Sequence, residues 1–362
     1  MTQEVYALDA AAADLQMTTG YSRNKTRALL ETYKDLADEV GVTTTNLAAS
    51  ASEWLKQGKS IEETRTLIRD SIILSKIGNI EADKSIEYLS SAIKGFNLST
   101  EDVLNLIDKL SAVDMTSALD IKGLAEGISE AADNAGLAGI SINKLLGYIT
   151  AISEAAQTDI ANVGSSLDTI FSRINNLKLG KLEAFQNNGE SLSNVEAILL
   201  GENISLRDSA DNFRNLGEVL DEVASKWDSF SDVSQRAIAG AFAGINHMED
   251  FLVLMSNYNT ALNYAEIASA SSGQAMQKFE AYEESLEGKT QRLSNAFQVL
   301  SDTVINSDLI GAFLDLGTLG AKGLDTLFNF IDPLTVAFAA LTAFWQKDKS
   351  KNDFVLYGCE SI

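Results

Sequence analysis

Three observations predict an all-α fold for this sequence. Only one proline, Pro333, occurs in 362 residues, where ordinary usage of roughly 5% would place about eighteen. Proline costs roughly 3 kcal/mol inside a helix, so its scarcity leaves long stretches able to coil. Apolar residues recur at steps of three and four, and runs alternating Val, Thr, Tyr and Ile are nearly absent. Helix-capping signals also punctuate the chain at short intervals. The expected architecture is an array of amphipathic helices and helical hairpins with one long heptad-bearing helix, plus a short β element near 203–208.

Residues 1–40 are read as N-terminal helices, followed by the first half of a helical core over 41–178. In "SIEETRTLIRD", Ser60 and Glu63 form a capping box in which each side chain satisfies the other's free backbone N–H. The helix "EADKSIEYLSSAIKGF" is expected to end on Gly95 as its C-cap. Ser99 or Thr100 caps the next helix, with Glu101 and Asp102 facing the positive end of its dipole. The layout of glycine, apolar residue, Ser/Thr cap and apolar helix returns at "GISINKLLGYI" (139–149) and more faintly at "GVTTTNLAASASEWL" (41–55). In "VGSSLDTIFSRINNL", Val163, Leu167, Ile170, Ile174 and Leu177 form a helix-pairing seam.

A linker is placed at 179–207, where Gly180, Asn187-Asn188-Gly189 and Gly201 break the pattern. Within it "NISLRD" has the composition of a short strand. The second half of the core covers 208–307. In it Phe213, Leu216, Leu220, Val223 and Trp227 make another seam. The longest helix is expected over about 272–307, with Phe279, Leu286, Leu293 and Leu300 recurring every seven residues and Tyr282, Phe297 and Val304 widening the stripe. At ~1.5 Å per residue it would reach roughly 50 Å. Residues 308–347 are expected to form an apolar helical hairpin, and 348–362 a loose tail. The uncharged run from Pro333 to Gln346 is shorter than the ~18–20 residues that span a bilayer.

The net charge of −23 opposes nucleic-acid binding, which requires Lys and Arg to neutralise phosphates, and equally opposes docking on an anionic membrane through a basic face. A single cysteine, Cys359, leaves no disulfide or multi-cysteine metal site within the chain. The N-terminal stretch lacks the basic and apolar regions of a secretion signal.

No catalytic, cofactor or metal site is expected. "QGKSI" and "EGKTQ" end like phosphate-binding loops, but the position that needs the first glycine holds Glu53 or Glu283. The sole histidine, His247, has no partner at metal-ligand spacing and reads as a helix-end or contact residue. With one histidine and one cysteine a nucleophile relay has little to draw on, and the sequence argues against an enzyme.

The ordered wording of the chain is more specific than its composition. Gly95, Asp108, Leu110, Val113, Leu124, Gly139, Gly164, Ile170, Phe171 and Arg173 stand where one family rhythm places them. Leu206, Arg207, Asp208, Leu220, Asp221, Glu222, Trp227, Ala241 and Gly244 fit a second segment of it. Over roughly residues 20–345 the chain resembles the conserved core of phage tail tape measure proteins. Two departures stand out. Ile245-Asn246-His247 replaces the polar triplet common after the Gly244 position, and the family's chains are usually longer, which suggests a fragment or short form.

The resemblance implies a structural protein of the virion tail, present in the host cytoplasm during assembly, that sets tail length and scaffolds the tail tube. It implies self-association into a helical bundle and contact with tail tube, tail chaperone and tail tip proteins. It further implies a role in DNA ejection, with no direct nucleic-acid binding and with transient membrane contact through 308–346. The assembly positions it marks include Gly95, Asp108, Leu110, Gly139, Gly164, Phe171, Arg173, Asp221, Trp227 and Gly244, beside the heptad set Phe279, Leu286, Leu293 and Leu300. Two rival readings are a membrane-active or secreted helical protein and a helical scaffold unrelated to phage.

Overall fold

A computed structural model describes residues 2–178, 192–209 and 212–304. The apolar segment 308–347 and the tail 348–362 lie outside the described residues. The described chain is all-α. Its helices are α1 Thr2–Thr19, α2 Arg23–Val40, α3 Thr44–Lys56, α4 Ile61–Ile77, α5 Ala82–Phe96, α6 Val103–Asp114, α7 Ile121–Ala138 and α8 Ile142–Ala156. They continue with α9 Ile160–Lys178, α10 Leu192–Gly201, α11 Leu216–Lys226, α12 Asp232–Ala243, α13 Met248–Ser256, α14 Tyr258–Ser269, α15 Gln274–Glu284 and α16 Leu286–Val304. Two compact units divide the chain. One is Ser50–Lys289, and the described residues of the other fall within Met1–Ala49 and Thr290–Ile362.

The caps explain where many helices start. Glu63 N donates to Ser60 Oγ at 3.2 Å and Ser60 N donates to Glu63 Oε2 at 2.9 Å, completing the capping box of α4. Ser99 and Asp102 form a similar box on a short 3-10 turn, Thr100–Asp102, that leads into α6. Gly95 is not a C-cap. α5 continues through it to Phe96 and ends on Asn97, which takes the left-handed conformation at φ 51°. Asn tolerates that region better than most residues.

The larger unit is organised around α7, which packs against α5 and α9, while α8 packs against α14. Small residues set this geometry. Ala131, Ala132, Ala135 and Ala138 are buried on α7, so neighbouring backbones come close. A Cβ on Gly95 would stand 2.6 Å from the Ala132 carbonyl oxygen, and one on Gly164 would stand 2.8 Å from the Gly127 carbonyl oxygen. At the third crossing a Cβ on Gly147 would stand 3.0 Å from the Ala261 carbonyl carbon.

Between these crossings the apolar seams fill the core. Val163, Leu167, Ile170, Phe171 and Ile174 are buried along α9, as are Leu216, Leu220 and Val223 along α11. Phe213 precedes α11 instead of opening it.

Three expected elements differ in the structure. Residues 192–201, inside the segment read as a linker, form α10, because Val195 and Leu199 turn inward at helical spacing. Among the described residues the expected β element reduces to one antiparallel bridge between Arg207 and Phe213. The long helix expected over 272–307 is interrupted at Ser285, whose ψ of 162° is extended. Ser285 N still donates to the Tyr282 carbonyl, and Gly288 N donates to Ser285 Oγ at 3.1 Å. A serine that ends one helix and caps the next accounts for the interruption.

Candidate functional site

The motif positions spread over several helices, and the fold gathers them into a few structural joints. Asp108 lies on α6, yet its carboxylate caps α15. Oδ2 accepts from Gly273 N at 2.9 Å and Oδ1 accepts from Ala275 N at 2.8 Å. A carboxylate at a helix N-terminus satisfies free donors and faces the positive end of the dipole. Lys109 Nζ donates to the Ala268 carbonyl at 3.3 Å, and Lys278 pairs with Asp114, so α6 holds the end of α14 and the start of α15 by polar contacts. Leu110 is buried beside this joint.

Gly139 ends α7 at φ 80°, a conformation costly for residues with a Cβ. Its carbonyl accepts from Asn215 Nδ2 at 2.8 Å, while Asn215 Oδ1 accepts from Gly217 N at 2.8 Å and caps α11. Gly244 ends α12 at φ 66°, and a Cβ there would stand 3.1 Å from Arg173 Nη1. Arg173 and Gly244 are therefore neighbours in space despite their separation in sequence.

Asp221 belongs to a brace joining α8, α11 and α14. Lys144 Nζ donates to Asp221 Oδ2 at 2.7 Å and to the Gly217 carbonyl at 3.0 Å. Tyr258 donates from its hydroxyl to Asp221 Oδ1 at 2.7 Å, and the Tyr148 and Tyr258 hydroxyls are 2.8 Å apart. Burial raises the pKa of both tyrosines above the ordinary phenol value, so the phenols stay protonated as donors. With Tyr258 donating to the carboxylate, Tyr148 donates to Tyr258.

A cleft of about 430 Å³ opens beside the brace, with Lys144, Asp221, Trp227, Met255 and Tyr258 among its walls. Trp227 anchors an aromatic group. Its ring centroid is 6.2 Å from that of Phe251, which stacks on Phe242 at 5.1 Å. A carboxylate held from two sides by a lysine and a phenol is suited to bracing helices.

Sequence reasoning picked out Asp221 and Trp227 but missed Lys144, Tyr148 and Tyr258. Nothing local signals these three, because each meets its partner only through the tertiary fold. The heptad positions divide at the Ser285 break. Phe279 on α15 is buried and stacks on Tyr282 at 6.1 Å, whereas Leu286 is 83% exposed and Leu293 51% exposed on α16. On the other side of α16, Asn295 and Gln298 are buried. Asn295 Nδ2 donates to Asp38 Oδ1, and Gln298 Nε2 donates to Thr45 Oγ1 at 2.5 Å.

Among the described residues no group of three or more His, Cys, Asp or Glu is placed to hold a metal ion. No described helix is long and apolar enough to cross a membrane.

A family model described as phage-related minor tail protein matches residues 30–245. The chain belongs to this family. The matched span contains Lys144, Tyr148 and Asp221 of the brace, the Arg173–Gly244 apposition and the Gly95 and Gly164 crossings, and it stops before α13, leaving Tyr258 and Ala261 beyond it. No solved structure matches the chain.

Proposed function

We propose that this phage tail protein is a tail tape measure, a non-enzymatic component whose helices set the length of the tail and scaffold its tube. The observation that carries this reading is α16. Its leucines at heptad spacing, Leu286 and Leu293, are exposed, while the polar side chains Asn295 and Gln298 are buried within the chain. A seven-residue apolar period is completed by a helix of the same period, and α16 of a second copy supplies one.

Copies of the chain then associate as a helical bundle around which tail tube subunits polymerise, with the tail chaperone and tail tip proteins as further partners. Helical rise converts residue count into distance at ~1.5 Å per residue. The acidic surface, at net charge −23, keeps the protein from adhering to DNA that shares the tail lumen and suits it to leave ahead of DNA at ejection.

In-frame deletion of whole heptads between 286 and 304 in the phage gene tests the ruler. Tails are expected to shorten by about 10 Å per heptad in electron micrographs. Tails of unchanged length and normal yield would remove the ruler role from this segment.

A further inference from the structure

The heptad phase of Phe279, Leu286, Leu293 and Leu300 runs through Ser285 without a skipped residue, although the backbone there is broken. A permanent break would release the sequence from keeping phase, since residues on either side of a bend share no continuous face. We infer that α15 and α16 form a helix-extension switch, bent at Ser285 in the free chain and straightened into one continuous helix when copies assemble. The inference rests on the tape measure reading for its purpose and on local geometry for its mechanism.

The local geometry is specific to the bend. Gly288 is packed so closely that a Cβ on it would collide with the Tyr282 carbonyl oxygen and stand 2.8 Å from Glu283 Cα. Those backbone atoms lie five and six residues earlier, and in a continuous α-helix a Cβ projects away from the backbone and meets neither. The bent form therefore requires glycine, while the straight form favours alanine, the better helix former.

Leu286 has the opposite preference. It is the first residue of α16, after an extended Ser285, a position that accepts proline in the bent form. In the straight form the same proline would fall inside a helix and break it.

Two features keep α15 in place while α16 reorients: the Asp108 carboxylate on its first turn and the buried Phe279. The straightened helix would run from Gln274 to Val304, roughly 46 Å at about 1.5 Å per residue, carrying the leucine seam along its outer length.

The test uses the full chain with Cys359→Ser and spin labels at Gln277→Cys and Lys289→Cys, both exposed positions. Distances are read by double electron–electron resonance. Gly288→Ala is expected to lengthen the separation toward the ~18 Å backbone span of a continuous helix. Leu286→Pro is expected to keep the shorter separation of the parent chain and to melt no lower than Leu286→Ala.

A Gly288→Ala chain that loses stability with an unchanged distance, or that fails to fold, would show that the bend is the only conformation available and overturn the proposal. So would a parent chain already at the straight distance. The tail-length measurement is independent of these distances, so the ruler and the switch can fail separately.

Discussion

Asp70 shows what one buried group can cost. It is 1% exposed on α4, its Oδ1 has no hydrogen-bond partner among the described residues, and the Arg69 guanidinium stands 3.9 Å away. Burial pushes its carboxyl up to about 7 from the ordinary 3.8, with Arg69 opposing only in part. Between those values the folded chain keeps a proton that the unfolded chain has lost, so stability falls as pH rises toward 7 and levels off above it. The full cost is on the order of 4 kcal/mol. Asp70→Asn is expected to flatten this slope in urea melts from pH 5 to 8 and to raise stability most at pH 8. An unchanged slope would place the pH dependence elsewhere.

Gly136 is a second single-residue constraint. A Cβ there would collide with the Gly95 carbonyl oxygen and stand 2.9 Å from its carbon. Gly136→Ala is expected to destabilise by about 1–3 kcal/mol by thermal melt, despite the better helix propensity of alanine.

At the scale of elements, the helices that sequence located best are those whose stop and start signals are chemical. The Ser60–Glu63 box and the apolar seam of α9 were legible because cap and periodicity act within a few residues. The end of α5 was misread at Gly95, since a glycine can cap a helix or allow a close crossing, and only the neighbour α7 decides between them. The break at Ser285 was hidden by an unbroken heptad pattern, because a period records a face and not the continuity of the backbone. The cap on α15 comes from α6 and left no local trace. Asp108→Ala is expected to remove both bonds, lower stability by about 1–2 kcal/mol, and speed hydrogen exchange at the first amides of α15 more than elsewhere. Uniformly unchanged exchange would show that Asp108 does not hold this end.

For the whole molecule, assembly must overcome like charge. In the proposed bundle, copies at net charge −23 would repel one another while the exposed leucines of α16 would draw them together. Raising salt from 50 to 500 mM is therefore expected to strengthen self-association severalfold in sedimentation experiments, because screening weakens repulsion and leaves apolar burial intact. Leu293→Glu is expected to abolish that association at all salt concentrations with little change in melting temperature, since the residue is half exposed in the single chain. Association that weakens with salt would instead point to ionic contacts as its source.

The helical class, several helix starts and the apolar seams could be read from the amino-acid order alone, because propensity, capping and periodicity are short-range properties. That order also marked Gly95, Gly164, Asp108 and Asp221 through their place in an ordered pattern, without saying what each touches. It took the packed fold to show that Gly95 lies at a helix crossing, that Asp108 caps a helix more than 160 residues away in sequence, and that Asp221 joins Lys144 to Tyr258. Those roles depend on which backbones approach within a few ångströms, and that proximity is a property of the packed chain as a whole.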